Sequence, residues 1–127
     1  MTKTSADGST ALHAAAHHGH VKSVKALLEF KADINAIRPD GATPLMLAAQ
    51  NGHLDVIEVL VKAKVNVNKA KPGGVTALMM AVLNGQIEVV KALLKAGADK
   101  SIVLSNGQTA LSLARQKGYK EIAALLS

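Results

Sequence analysis

The chain has no cysteine among its 127 residues. Disulfides, thiolate metal sites and a cysteine nucleophile are thereby excluded, and a reducing compartment such as the cytoplasm suits it, although exported proteins can lack cysteine as well. Tryptophan is also absent, and Phe30 and Tyr119 are the whole of the 2% aromatic content. Stacking platforms for single-stranded nucleic acid are therefore missing. The core must be built from Leu, Val, Ile, Ala and Met, whose side chains suit thin layers of closely stacked helices. No run approaches the ~18 apolar residues of a membrane span. Met1 to Thr10 are polar and carry no apolar stretch of the kind a signal peptide needs.

What the chain does have is 49% apolar residues, a net charge of +6 and a repeat. Shifted by 33 residues, the sequence falls on itself without insertion or deletion. Gly8, Gly41, Gly74 and Gly107 make one column, and Thr10, Thr43, Thr76 and Thr109 a second. Leu12, Leu45, Leu78 and Leu111 follow, then Ala15, Ala48, Ala81 and Ala114. Gly19, Gly52, Gly85 and Gly118 make the next column, and Leu27, Leu60, Leu93 and Leu126 the last.

Each column has a physical reading. The Gly8 column sits in polar stretches such as Pro39-Asp40-Gly41, which read as turns. A Thr two residues later can cap the following helix, and Pro44 suits a first helical turn. The Leu12 and Ala15 columns form a short apolar stripe on a first helix of about nine residues that ends at the Gly19 column. A second helix follows, with Val21, Val24, Leu27 and Leu28 at helical spacing and charge on its other face. There Glu58 and Lys62 stand four apart in the favourable order. Neither helix can bury its stripe alone, so the units must stack. The expected fold is an all-α solenoid of helix-turn-helix units joined by turn-like fingers, one domain over 1–127 with repeats at about 5–37, 38–70, 71–103 and 104–127.

Thr43-Pro44-Leu45, Ala48-Ala49, Asn51-Gly52-His53 and Gly97-Ala98-Asp99 resemble the ankyrin-repeat signature, and the resemblance covers the chain from about Ser5 to Ser127. It implies a non-catalytic protein-binding module. Several positions depart from the family pattern. Only His13 keeps the histidine that follows Thr-Pro-Leu, and Met46, Met79 and Ser112 replace it. Gly97 keeps the glycine after the second helix, whereas Lys31 and Lys64 replace it, at a cost of roughly 1 kcal/mol each if the backbone is left-handed there. In the last repeat Arg115 stands where Ala16, Ala49 and Val82 stand, and Lys120 where Val21, Leu54 and Ile87 stand. Polar residues on that outer face are what a terminal cap needs. At the front, His13-Ala14-Ala15-Ala16 reads as an internal repeat. The chain is then either cut from a longer array or a monomer unless that face associates.

Candidates for chemistry are few. His13 and His17 are four apart on one helix and could chelate zinc, but a third ligand is not evident, and His13, His20 and His53 match structural positions of the family. Ser9 and Asp7 lie near these histidines as turn and cap residues, which leaves no catalytic triad to argue. Pro72-Gly73-Gly74 lacks the Lys-Ser/Thr and the strand of a phosphate loop, and no cofactor is expected. The basic run Lys62, Lys64, Lys69 and Lys71 suits an acidic partner or a solvated face. Met46, Met79 and Met80 read as filler between repeats.

The resemblance implies a concave surface of finger tips and first helices. By repeat position it comprises Asp7, Ser9, His17 and His18; Ile37, Asp40, Ala42, Gln50 and Asn51; Val75, Leu83 and Asn84; and Val103, Ser105, Asn106, Gln108, Gln116 and Lys117. Ile102-Val103-Leu104 is apolar at a tip that is normally polar. It either joins Leu83 and Val75 in an exposed patch or packs beneath the tip. The partner expected is another protein, of acidic character if the net charge is a guide, and nucleic acid is disfavoured. The rival readings are a scaffold or excised fragment without its own partner, and a histidine-based metal site.

Overall fold

A computed structural model describes residues 9–127, with side chains from Ala11 onward. Among these residues eight helices follow one another as four antiparallel pairs. The first pair is α1 (Ser9–His18) and α2 (Val21–Glu29), and the second is α3 (Pro44–Gln50) and α4 (Leu54–Lys62). A two-residue hairpin, β1 (Ala70–Lys71) and β2 (Val75–Thr76), precedes the third pair, α5 (Ala77–Leu83) and α6 (Ile87–Lys95). The fourth pair is α7 (Ala110–Lys117) and α8 (Lys120–Leu126). The first helices pack in the order α1, α3, α5, α7 and the second helices in the order α2, α4, α6, α8, so the chain is two helix layers thick.

The caps follow from the columns. Thr43, Thr76 and Thr109 are extended N-cap residues, and each hydroxyl accepts from the backbone N–H three residues on. In the last repeat Ser112 returns the favour, its Oγ accepting from Thr109 N at 2.8 Å to complete a capping box. The middle first helices span only seven residues, shorter than the nine the pattern predicts. Asn51 and Asn84 turn out of helical geometry one residue before the left-handed Gly52 and Gly85.

The core is one continuous strip between the layers. Leu12, Leu45 and Leu78 are buried from the first helices, and Val24, Ile57, Leu60 and Leu93 from the second. Met46 and Met79 are fully buried in the histidine column, so filler methionine replaces polar bonding there. His13 keeps the polar arrangement: it is 5% exposed, and its Nε2–H is shared between Ala36 O at 3.1 Å and Ala42 O at 3.0 Å. That tethers α1 to the finger of the next repeat. The fingers also hold one another, since Ser105 N donates to Gly73 O at 2.9 Å.

Gly19 shows how tightly consecutive repeats meet. Its φ is +74°, and a Cβ there would lie 2.6 Å from His53 Nδ1 of the next repeat. The His53 ring is not free to move away, because its Nε2–H donates to His17 O at 2.9 Å. Gly118 has almost the same backbone, φ +76°, with nothing near its missing Cβ. Gly118→Ala is expected to cost only the left-handed backbone term, about 1–2 kcal/mol. Gly19→Ala adds the displaced ring and its hydrogen bond, for a total of roughly 2–3 kcal/mol. Urea denaturation of both variants checks the difference.

Lys31 and Lys64 are the non-glycine residues with positive φ, +69° and +70°, so the left-handed geometry anticipated from the sequence is present. Both side chains are exposed and no ion pair engages them. Lys31→Gly and Lys64→Gly should each raise stability by up to about 1 kcal/mol, less the entropy glycine adds to the unfolded chain. The two gains should add, since they lie in separate turns. A rise in the urea midpoint at constant slope is the readout.

Candidate binding surface

The last turn of each first helix carries residues that differ between repeats. Here the same two positions hold His17-His18, Gln50-Asn51, Leu83-Asn84 and Gln116-Lys117. All are exposed except Leu83, which is half-buried and packs on the core. Two of these repeats are joined through side chains, with Asn51 Nδ2 3.2 Å from His17 Nδ1. The same amide donates to Leu47 O at 3.0 Å, and Asn84 Nδ2 donates to Met80 O at 2.9 Å, so both asparagines cap their helix ends while facing solvent. His18 turns toward the front end of the solenoid, its ring 4.8 Å from that of His17 and edge-on to it. Asp7 lies outside the described residues, and Ser9 opens α1.

The finger tips complete the surface. In the second finger Asp40 accepts from Arg38 Nη2 at 2.7 Å and from Ala42 N at 3.0 Å. The guanidinium first, and then the Ala42 N–H, hold the Asp40 carboxyl well below the ordinary carboxylate range, with a smaller pull from Lys71. The carboxylate in turn raises the Arg38 guanidinium. The pair is solvent-facing, so its role is to shape the tip rather than to stabilise the fold. Ile37 stands beside it, 56% exposed, and Ala42 is buried beneath.

In the third and fourth fingers the apolar run divides. Ile102 and Leu104 pack against the core and Val103 stands out, 56% exposed; Val75 is half-buried in β2. The reading in which Ile102 and Leu104 pack beneath the tip is the one the structure shows. Behind Val103, Asn106 Nδ2 donates to Gln108 Oε1 at 3.1 Å, and Gln108 Nε2 donates to Gln116 Oε1 at 2.7 Å. This last bond ties a finger to the end of a first helix, placing Asn106, Gln108 and Gln116 on one surface, next to Lys117.

A family model described as ankyrin repeats in three copies matches residues 1–71 and again 63–127. The chain belongs to the ankyrin-repeat family. The model spans three copies at a time, and the structure arranges its helices as four pairs. No curated protein matches the chain. Ankyrin repeats are generally protein–protein interaction modules, and the family is typically non-catalytic.

For an ankyrin chain the histidines are arranged as framework. His13 Nε2 is committed to two carbonyls, His17 Nδ1 to Asn51, and His53 Nε2 to His17 O. Among the described residues no three His, Asp or Glu side chains converge as metal ligands. The basic run is divided between surfaces. Lys62 lines a groove of about 1030 Å³ along the second-helix layer with Lys25, Lys95, Asp55 and Glu58, whereas Lys71 lies in the hairpin beside Asp40. Among the described residues Arg38–Asp40 and Lys91–Glu88 are the ion pairs, so Glu58 and Lys62 stay apart despite their spacing. Also among these residues, no helix is long and apolar enough to cross a membrane.

Sequence reasoning missed Arg38. The Arg-Pro-Asp-Gly order, with two oppositely charged residues flanking a proline turn, was the available signal. A depressed carboxyl contributes stability that is present above the ordinary carboxylate range and lost as pH falls through its folded value. The Asp40 side-chain carbon, followed by NMR, should therefore titrate well below the ordinary range, and its midpoint should rise in Arg38→Gln. Amide exchange at Ala42 should quicken only in the acid range below that midpoint.

Proposed function

We propose that the surface formed by the finger tips and the ends of the first helices binds another protein and that the chain carries out no catalysis. One observation supports this above the others. Several positions that pack between repeats keep one residue in every copy, as in the Leu12 and Ala15 columns, whereas the pair ending each first helix, exposed apart from Leu83, changes from His-His to Gln-Asn, Leu-Asn and Gln-Lys. Apart from Leu83, which packs on the core, stacking does not require those side chains, and they form one row across the molecule. The neighbouring tips add Asp40, Val75, Val103, Asn106 and Gln108 to it.

The chemistry of the row suits a protein partner. Amide, imidazole and hydroxyl groups supply adaptable hydrogen bonds, and Val103, Ile37 and Leu83 supply apolar contact between them. The side chains are preset by bonds such as Gln108–Gln116 and Asn51–His17, so little ordering remains to be done on binding. The row carries Arg38 and Lys117 against Asp40, and with the net charge of +6 this favours a partner of acidic character.

Affinity capture from lysate of the source, followed by mass spectrometry, tests the reading. Wild type is compared with Gln50→Glu/Gln116→Glu, two exposed positions at which glutamate leaves the core untouched and repels an acidic partner. A protein held by wild type, released by this variant and retained by Lys95→Ala on the second-helix layer is the expected result, with at least a tenfold loss of affinity. Equal capture by wild type and the double variant would remove the row from the binding site.

A further inference from the structure

Among the described residues, no element packs on the apolar face at the front end of the solenoid. Ala11 and Ala14 on α1, and Ala26 on α2, are exposed, and Leu27 is half-buried. Their counterparts in later repeats lie inside the stack. Pro44, Ala77 and Ala110 are buried in the Ala11 column, and Leu60, Leu93 and Leu126 are buried in the Leu27 column. Between α1 and α2 the face holds a groove of about 580 Å³, walled by these alanines and Leu27, with His18 at its rim. Phe30 continues the stripe that runs through Ser23, Ala26 and Leu27 at helical spacing, and it projects with 70% of its surface exposed.

Two observations decide what fits there. The groove is lined by no Lys, Arg, Asp or Glu, in a chain of net charge +6. It is thus a place where two copies can meet without opposing like charges. The rear end is different: α7 and α8 expose Arg115 and Lys120 there. Seating that end on the front groove would bury charge against an apolar wall, so head-to-tail stacking is disfavoured. What remains is a knob and a hole on one surface, the self-complementary arrangement that a two-fold axis requires.

We propose that two copies of this chain pair front to front, the Phe30 of each seated in the groove of the other and the small side chains Ala11, Ala14 and Ala26 letting the α1–α2 layers close. The surface lies at the end of the stack, apart from the row proposed to bind a partner protein, so both can be occupied at once.

Sedimentation equilibrium from about 1 µM to about 500 µM tests this, with half-association expected on the order of 10–100 µM for a small apolar contact. The mass of wild type should rise from 13.1 kDa toward twice that value. Ala26→Lys/Phe30→Ala, at two exposed positions, should keep the helical circular dichroism and the urea midpoint of dilute wild type and stay at the single-chain mass throughout. Gln50→Glu/Gln116→Glu should dimerise as wild type does, which separates this surface from the partner-binding row. A wild type that remains at the single-chain mass over the whole range overturns the proposal. So does a variant at Ala26 and Phe30 that dimerises undiminished.

Discussion

A helix pair in this chain is half a structure until another pair lies against it. Each stripe of Leu, Val and Ala is only partly covered by its own helix pair and is completed by a neighbouring repeat, and that dependence sets the register to which everything else conforms. The polar bonds between repeats are tuned to the same register. Asn66 N donates to Asn35 Oδ1 at 2.8 Å, and Asp99 N repeats the bond to Asn68 Oδ1 one unit later. His13 and His53 bond backward and forward across junctions through backbone carbonyls. One inserted residue would misplace the apolar stripe and these donors together. No buried side-chain N or O atom among the described residues lacks a partner, so the junctions gain apolar burial without leaving polar groups unpaired.

Once stacking is met by the interior, the exposed side chains at the ends of the first helices are largely free of packing between repeats. This is how such an architecture separates fold from recognition. The left-handed Lys31 and Lys64 show the other side of the same tolerance. They raise the local backbone energy where nothing packs, and the junctions absorb that cost without a change of register. A binding surface carried on rigidly stacked helices is preformed, and its side chains are positioned by bonds within the row itself. Affinity can then come from contact rather than from ordering.

Most of the fold was legible because a 33-residue period leaves little freedom. The Thr caps, the Gly stops, the polar rear end and the left-handed lysines all follow from column position. The features the sequence left unread depend on relations between neighbouring side chains instead. Whether Val103 or its neighbours Ile102 and Leu104 would face solvent rests on the pleat of the finger, and periodicity along a three-residue run does not decide it. Arg38 closes on Asp40 across a turn, while Glu58 and Lys62, better spaced by rule, do not meet, because exposed pairs gain too little to be held. Of the surface residues, position alone placed Gln108 and Gln116 close together. It had no means of showing that His18, one residue after His17, turns toward the front groove.

In a one-dimensional stack the end units differ from the middle ones only in what lies beyond them. At the rear, charged residues replace buried alanine and valine, which is the composition of a surface that meets water. At the front, alanines and Leu27 keep the composition of a junction. Among the described residues the α1–α2 pair, like the α7–α8 pair, packs on a single neighbouring repeat, so it opens before the middle pairs when the array loosens. Any molecule that covers the front face binds the closed form and not the open one, and so stabilises that pair by mass action. His17 lies at the end of α1, and its bonds to Asn51 and His53 exist only while α1 is docked. On the proposed reading, the first member of the row is coupled to the occupancy of a face at the end of the stack, through the stability of one helix pair and without any change in the shape of the others.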